Sequence, residues 1–347
     1  IDRIIKKLKN RTYKWKPVRR KKITKKGSEK KRPLGISVWN DKLVAEVIRI
    51  VLSAYYEPQF SKYSHGFRYM RGCHTALQII NRTWQGIKWF IEGDIRGCFD
   101  NIDHEILLGI ISRKIKDRSL LKLLKKMLRA GYMEDWKYHE TYSGTPQGNV
   151  LSPLLSNILL SELDRYIENE LIPQYTKGEC KRRNPEYNRL NVAMTYAKQK
   201  GQIDKYNELW KRKRTIPSQD PNDPNFRRLR YVRYADDFLL GFIGSKAEAK
   251  EIKRKIAEFL NTLKLELSDE KTLITHARTR SARFLNYHIS TAWNDKEWAG
   301  KGQVKIRGKN GTIRLIIPED VKTHWIVKVQ KDNVVRHRTE LMRNSDY

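Results

Sequence analysis

Two adjacent carboxylates, Asp236 and Asp237, stand between two β-prone runs, and few folds tolerate that arrangement. Residues 230–243 read as strand, tight turn, strand, with Tyr234-Ala235-Asp236-Asp237 at the tip. Side by side the carboxylates repel one another, and withdrawing them from water is expensive. The arrangement persists where cations neutralise it, and ligands that are all oxygen select a hard ion such as magnesium. A plain polar turn is the alternative, since Asp is favoured in turns. The hairpin alone leaves both readings open.

A third carboxylate narrows the choice. Residues 88–92 form a short apolar run closed by Gly93-Asp94, the pattern of a buried strand that stops at an acid. Carboxylates from two strands, bridging two metal ions, are what in-line nucleotidyl transfer requires. One ion lowers the pKa of the attacking hydroxyl, and the other steadies the triphosphate and the leaving pyrophosphate. Phe99 follows five residues later, where a ring can sit under the sugar of an incoming nucleotide and exclude a 2′-hydroxyl. Core packing is its other reading. Residues 143–157 form a Gly- and Pro-punctuated turn into an apolar helix, so that backbone groups and Gln147 can approach a ligand closely.

Charge points to the partner. Lys and Arg outnumber Asp and Glu by 72 to 39, a net charge of +33, and such self-repulsion implies a polyanion. A ribosomal or chromatin-like protein shares this property. Residues 1–32 hold sixteen of the cations, with Tyr13 and Trp15 interleaved, which suits phosphate contact with some stacking; a disordered tail is the alternative. Three scattered cysteines, Cys73, Cys98 and Cys180, form no C-x-x-C pair and read as small core residues in a reducing cytosol. No apolar run reaches the length of a membrane span and no signal-peptide region opens the chain.

The remaining pattern predicts helices over 41–55 (with Leu43, Val47, Ile50 and Val51 on one face), 75–81, 104–115, 120–130, 151–167 and 246–263, and a strand over 284–290. Residues 174–228 shift to a polar, basic composition that is helical over 186–214, and read as an insertion. No internal repeat is visible. The start at Ile1 rather than Met reads as a piece of a longer protein.

The order of Lys31-Arg32-Pro33-Leu34-Gly35-Ile36, His65-Gly66-Phe67-Arg68, the Asp94 strand, the Pro146-Gln147-Gly148 turn and the Tyr234 to Asp237 box resembles a group II intron-encoded reverse transcriptase, or maturase. The resemblance continues through Leu267-Ser268-Asp269-Glu270-Lys271-Thr272 and Phe284-Leu285-Asn286-Tyr287 and covers most of the chain. It implies an α+β fold, a right-hand polymerase with a small antiparallel palm sheet and helical fingers. Residues 1–90 would be a basic extension and fingers, 91–318 the palm with the insertion at about 174–228, and 319–347 the start of a truncated thumb.

Carried over by position, the resemblance makes Asp94, Asp236 and Asp237 the catalytic carboxylates and, with the Ile95 backbone carbonyl, the ligands of two Mg2+ ions, for which Mn2+ can substitute. Gln147 would line the nucleotide pocket and Phe99 would gate the sugar. Lys31, Arg32 and Arg68 would meet the triphosphate or the template, although each could equally contact the nucleic-acid backbone. Lys271 would stand near the leaving pyrophosphate and give it a proton; a surface lysine is the alternative. The implied partners are intron RNA as template, a DNA primer or target and deoxynucleotides, with no membrane and with a homodimer allowed. The implied setting is cytoplasmic, bacterial or else organellar. A non-catalytic RNA-binding splicing cofactor and a retron or CRISPR-associated reverse transcriptase are the rival readings.

Overall fold

The computed structural model describes residues 1–323 apart from 25–30, 146–147, 221–222, 269, 293–297, 300–305 and 308–309. The chain opens with α1 (Asp2–Lys9), followed by β1 (Val18–Thr24) paired antiparallel with β2 (Lys31–Ile36). Helices α2 (Trp39–Tyr56) and α3 (Cys73–Thr83) lead to β3 (Trp89–Asp94). Then come α4 (Cys98–Asn101), α5 (His104–Lys114) and α6 (Arg118–Leu128). Asp103 and Asp117 start α5 and α6, each side chain accepting from two backbone N–H groups of the first turn. A short hairpin, β4 (Tyr132–Glu134) and β5 (Lys137–His139), joins the first sheet in the order β2-β1-β4-β5.

Helix α7 (Ser152–Tyr166) is buried on nearly every side, as a helix crossing a core must be. It passes through a π-helical turn at Ile167–Leu171 into α8 (Ile172–Gln174). The insertion is a helical hairpin, α9 (Pro185–Gln199) and α10 (Ile203–Thr215). Strands β6 (Arg228–Tyr234) and β7 (Asp237–Ile243) follow, then α11 (Lys246–Thr262), β8 (Ile274–His276), β9 (Ala282–Phe284), β10 (Tyr287–Thr291), β11 (Trp298–Ala299), β12 (Ile306–Arg307) and β13 (Ile313–Ile316).

The central sheet has the order β6-β7-β3-β8, with every neighbouring pair antiparallel. Successive residues of its strands enter two apolar cores. Ile91, Tyr231, Leu240 and Phe242 pack with α7 and α11. Phe90, Val232, Leu239 and Ile243 pack with α3 and with the small sheet β13-β10-β9. Burial on both faces explains why these strands read as unbroken apolar runs rather than as alternation.

Several expectations are corrected. Helix α2 turns Val47, Ile50 and Val51 to solvent, each more than half exposed, and buries Asp41, Val44, Ala45, Ile48, Leu52 and Tyr56. The helix carries two apolar stripes, and the one with the carboxylate goes inward. Asp41 is satisfied there by the Tyr13 hydroxyl at 2.6 Å and the Lys16 backbone N–H at 2.9 Å. Tyr13 is therefore a core residue and not a stacking surface, and the Trp15 indole donates to the Leu123 carbonyl at 3.1 Å. Residues 284–290 form a hairpin rather than one strand, because Leu285 and Asn286 take φ of 50° and 61° as its two-residue turn. Of the cysteines only Cys98 is buried; Cys180 is exposed. The expected thumb start falls on 319–347, of which 324–347 lie outside the described residues.

Candidate active site

The register between β3 and β7 sets Asp94 directly opposite Asp237, and the β6–β7 pairing closes with Tyr234 opposite Asp237. Asp236 lies in the intervening turn, next to Ala235 at φ 55°. Three carboxylates from two stretches of sequence therefore meet at one end of the central sheet. Close approach of backbone shapes the spot. A Cβ on Gly66 would stand 2.3 Å from the Ala235 nitrogen, so the His65-Gly66 loop can lie against the turn only with glycine there.

A buried clamp holds the turn from behind. The Arg233 guanidinium, fully buried, binds both oxygens of Asp164 on α7, at 2.8 and 2.6 Å. Its remaining arm donates to the Asn157 amide oxygen at 3.0 Å and to the Ala235 carbonyl at 2.8 Å. Asn157 in turn donates to the Gly66 carbonyl at 2.8 Å, and the His65 N–H to the Arg233 carbonyl at 2.9 Å. Tyr231 adds its hydroxyl to Asp164 at 2.7 Å. The loop at 64–66, α7 and the aspartate hairpin are thus one polar unit. Removing one partner of such a buried pair costs about 3–5 kcal/mol, because the other charge stays buried.

The electrostatics follow from crowding. Surrounding protein, then the charge of Asp236 and a proton shared with Asp94, push the Asp237 carboxyl up to about 7. The outer edge of Asp237 stays open to solvent, so water moderates the effect while its direction stands. Burial and Asp94 also raise Asp236. Lys271 answers with its ammonium 2.9 Å from Asp94 Oδ2, and that hydrogen bond raises its own pKa. The segment bearing Lys271 is tied to β3 by the Ser268 N–H on the Asp94 carbonyl and the Arg96 N–H on the Glu266 carbonyl. This bridge uses the groups on either side of Ile95, leaving the Ile95 carbonyl outside the bonded pair. Among the described residues no group of three or more His, Cys, Asp or Glu side chains is placed to hold a metal ion. At the aspartates the Lys271 ammonium supplies a counter-charge through Asp94.

Phe99, half-buried on α4, meets Phe67 edge-on with ring centroids 6.3 Å apart. Its carbonyl accepts from the Thr145 N–H at 2.7 Å, which brings residues 143–145 beside it. Gln147 itself lies outside the described residues. Gly148 packs on Leu34 and Gly35, so the turn also touches β2. Lys31 is exposed at the start of β2, where the backbone of Arg32 also runs.

Arg68 departs from its expected task. Its guanidinium is buried and donates to Glu57 at 2.7 Å and to the carbonyls of Ser61 and Ser64 at 2.6 and 2.8 Å. It braces the loop that carries Gly66 and Phe67.

Residues 23–289 match the family model for reverse transcriptase (RNA-dependent DNA polymerase). The chain belongs to the reverse transcriptase family. It is 44% identical over its whole length to the group II intron-encoded protein LtrA of Lactococcus lactis subsp. cremoris, and spans 60% of that protein's length. It is 41% identical, over 80% of the chain and 33% of the relative, to a putative COX1/OXI3 intron 1 protein of Saccharomyces cerevisiae. Nuclear intron maturase 2 of Arabidopsis thaliana is 27% identical over 72% of the chain and 37% of its own length.

The fold is the fingers–palm arrangement of a polymerase, with a small antiparallel sheet at its centre. Sequence reasoning passed over the Arg233, Asp164 and Asn157 clamp. One signal was available: Asn157 and Asp164 recur seven residues apart on a helix otherwise rich in Leu and Ile, which puts two polar groups on one face of a buried element. The exposed rings of Phe67 and Tyr69 were also passed over.

Proposed function

We propose that this chain is the polymerase portion of a group II intron-encoded RNA-directed DNA polymerase, which copies intron RNA into DNA and binds that RNA to aid splicing. The observation that carries the reading is the meeting of Asp94, Asp236 and Asp237 at one end of the palm sheet. Burial first, then the neighbouring carboxylates, push the Asp237 carboxyl up to about 7. An all-oxygen set of that charge fits two hard divalent cations, magnesium or in its place manganese. Asp94, Asp236, Asp237 and the Ile95 carbonyl would hold them. Bound there, such ions would lower the pKa of a primer 3′-hydroxyl and neutralise the triphosphate.

The chain's own residues do the positioning. The Arg233 clamp fixes the Ala235 carbonyl, and with it the turn that aims Asp236. Lys271 trades its bond to Asp94 for the leaving pyrophosphate, to which its ammonium gives a proton. Phe99, steadied by Phe67, bounds the sugar site and excludes a 2′-hydroxyl. Gln147 is assigned to the nucleotide pocket, and Arg32 to template or triphosphate, by family resemblance alone, and the exposed Lys31 at the start of β2 takes the same task. The exposed Phe67 and Tyr69 rings offer stacking to template bases. Catalysis then comes from orientation and charge neutralisation.

Primer extension on an RNA template, in the full-length reading frame, tests the reading. Wild type should extend with deoxynucleotides only when magnesium or manganese is supplied. Asp236→Ala should lose roughly a hundredfold to a thousandfold or more of the rate while binding RNA normally. RNA binding by wild type with no extension would replace this reading by that of a splicing cofactor built on a polymerase scaffold.

A further inference from the structure

Strands β3 and β7 carry aspartates at one end and border a second cleft at the other. Trp89 begins β3 and Ile243 ends β7, so this cleft lies roughly 20 Å from the carboxylates at the usual rise per strand residue. The start of β3, the end of β8, the first residues of α11 and the base of the insertion enclose about 850 Å³. Among the described residues its Lys and Arg lining is Lys88, Lys181, Arg227, Lys246 and Arg278, against the single carboxylate Asp223.

The acids nearby already have partners. Asp223 accepts from the backbone N–H groups of Arg182 and Asn225. Asp220 takes two guanidinium bonds from Arg182, and Glu248 takes Arg227 together with the Ser245 N–H. Burial holds the ammonium groups of both Lys88 and Lys181 below the usual lysine range. The next cause at Lys181 is the charge of Lys88, and at Lys88 the charge of Arg227, while Asp220 acts the other way on both and Asp223 on Lys181. Aromatic rings help to keep these cations in place: Lys181 lies 5.6 Å from the Phe226 ring and Lys246 5.8 Å from Trp89. The fold thus gathers like charge in a concave, partly desolvated space, which an anion would relieve. The volume suits a phosphate with its attached sugar better than a bare halide.

We propose that this cleft binds a phosphate group, as a site separate from the catalytic centre and built jointly by the insertion and the far edge of the palm. The phosphate comes from an RNA backbone or from free phosphate; only the RNA source rests on the function proposed above. The insertion thereby acquires a task that the polymerase chemistry does not give it.

The test uses the double variant K88Q/K181Q and the charge-keeping Lys181→Arg. Calorimetry with inorganic phosphate forms one arm. The other measures binding of a short single-stranded RNA across a salt series. With RNA as the source, the double variant should lose about 1.4 from the log–log salt slope, at 0.7 for each phosphate contact removed. With free phosphate as the source, calorimetric binding should vanish while the RNA slope holds. Lys181→Arg should keep wild-type binding in whichever arm responds, which separates lost charge from lost folding. Wild-type phosphate binding and an unchanged RNA slope in the double variant would overturn the proposal. Primer extension by both variants should match wild type. A wild type that cannot extend a primer would sink the polymerase reading and leave the phosphate arm decisive.

Discussion

At the scale of single residues, the site is a set of charges held against their preference. Asp237 is the sharpest case, because its folded pKa of about 7 lies above that of an ordinary carboxylate. Between those two values the folded chain keeps a proton that the unfolded chain has released, so stability falls as pH rises through that window. Asp237→Asn removes the conflict. In thermal melts at a series of pH values the variant should unfold at a higher temperature than wild type above about pH 7, and the two should converge toward about pH 4. Primer extension should be lost in the same protein, the usual exchange of activity for stability at a strained site. A variant less stable than wild type at alkaline pH would show that Asp237 is held by favourable contacts. Arg233 and Arg68 make the opposite point. Both are cations with their partners supplied in full by the fold, and both work as braces.

Elements show where pattern and packing part company. Most of the long helices are legible in the sequence because their apolar periodicity and caps agree: Ser245 with Glu248 closes a capping box at α11, and Asp103 and Asp117 cap α5 and α6. Helix α2 was legible in its extent and misleading in its face. Its two apolar stripes compete, and Asp41 reaches the interior only because Tyr13 and Lys16, far back in the chain, satisfy it. The face assignment predicts unequal costs. Ile48→Ala should destabilise by about 2–5 kcal/mol in urea unfolding, whereas Val47→Ser or Ile50→Ser should change it by roughly 0.5 kcal/mol or less. Equal costs at Ile48 and Ile50 would mean that a partner covers the outer stripe in solution.

For the molecule as a whole, a net charge of +33 sets the conditions under which the chain is comfortable. Self-repulsion destabilises the compact state and is screened by salt. The melting temperature should therefore rise as sodium chloride is added from low ionic strength. RNA should raise it further, because binding adds RT ln(1 + [L]/Kd) to the unfolding free energy, or about 2.7 kcal/mol at a hundredfold excess over Kd. Melts that ignore both additions would mean that the fold's ion pairs already neutralise the field. Among the described residues no helix is long and apolar enough to cross a membrane.

By itself the sequence determined most of the long helices and the strands that bear the acids, since those depend on neighbours a few residues apart. It also determined the order of blocks that placed the chain among reverse transcriptases. Only the tertiary structure decided that Asp94 faces Asp237, that Arg68 turns inward, and that Arg233, Asp164, Asn157 and Gly66 form one clamp. Those pairings join residues up to 143 positions apart in the order of the chain. Sheet register and the satisfaction of buried polar groups are settled by which surfaces meet when the cores close, and no local pattern carries that information.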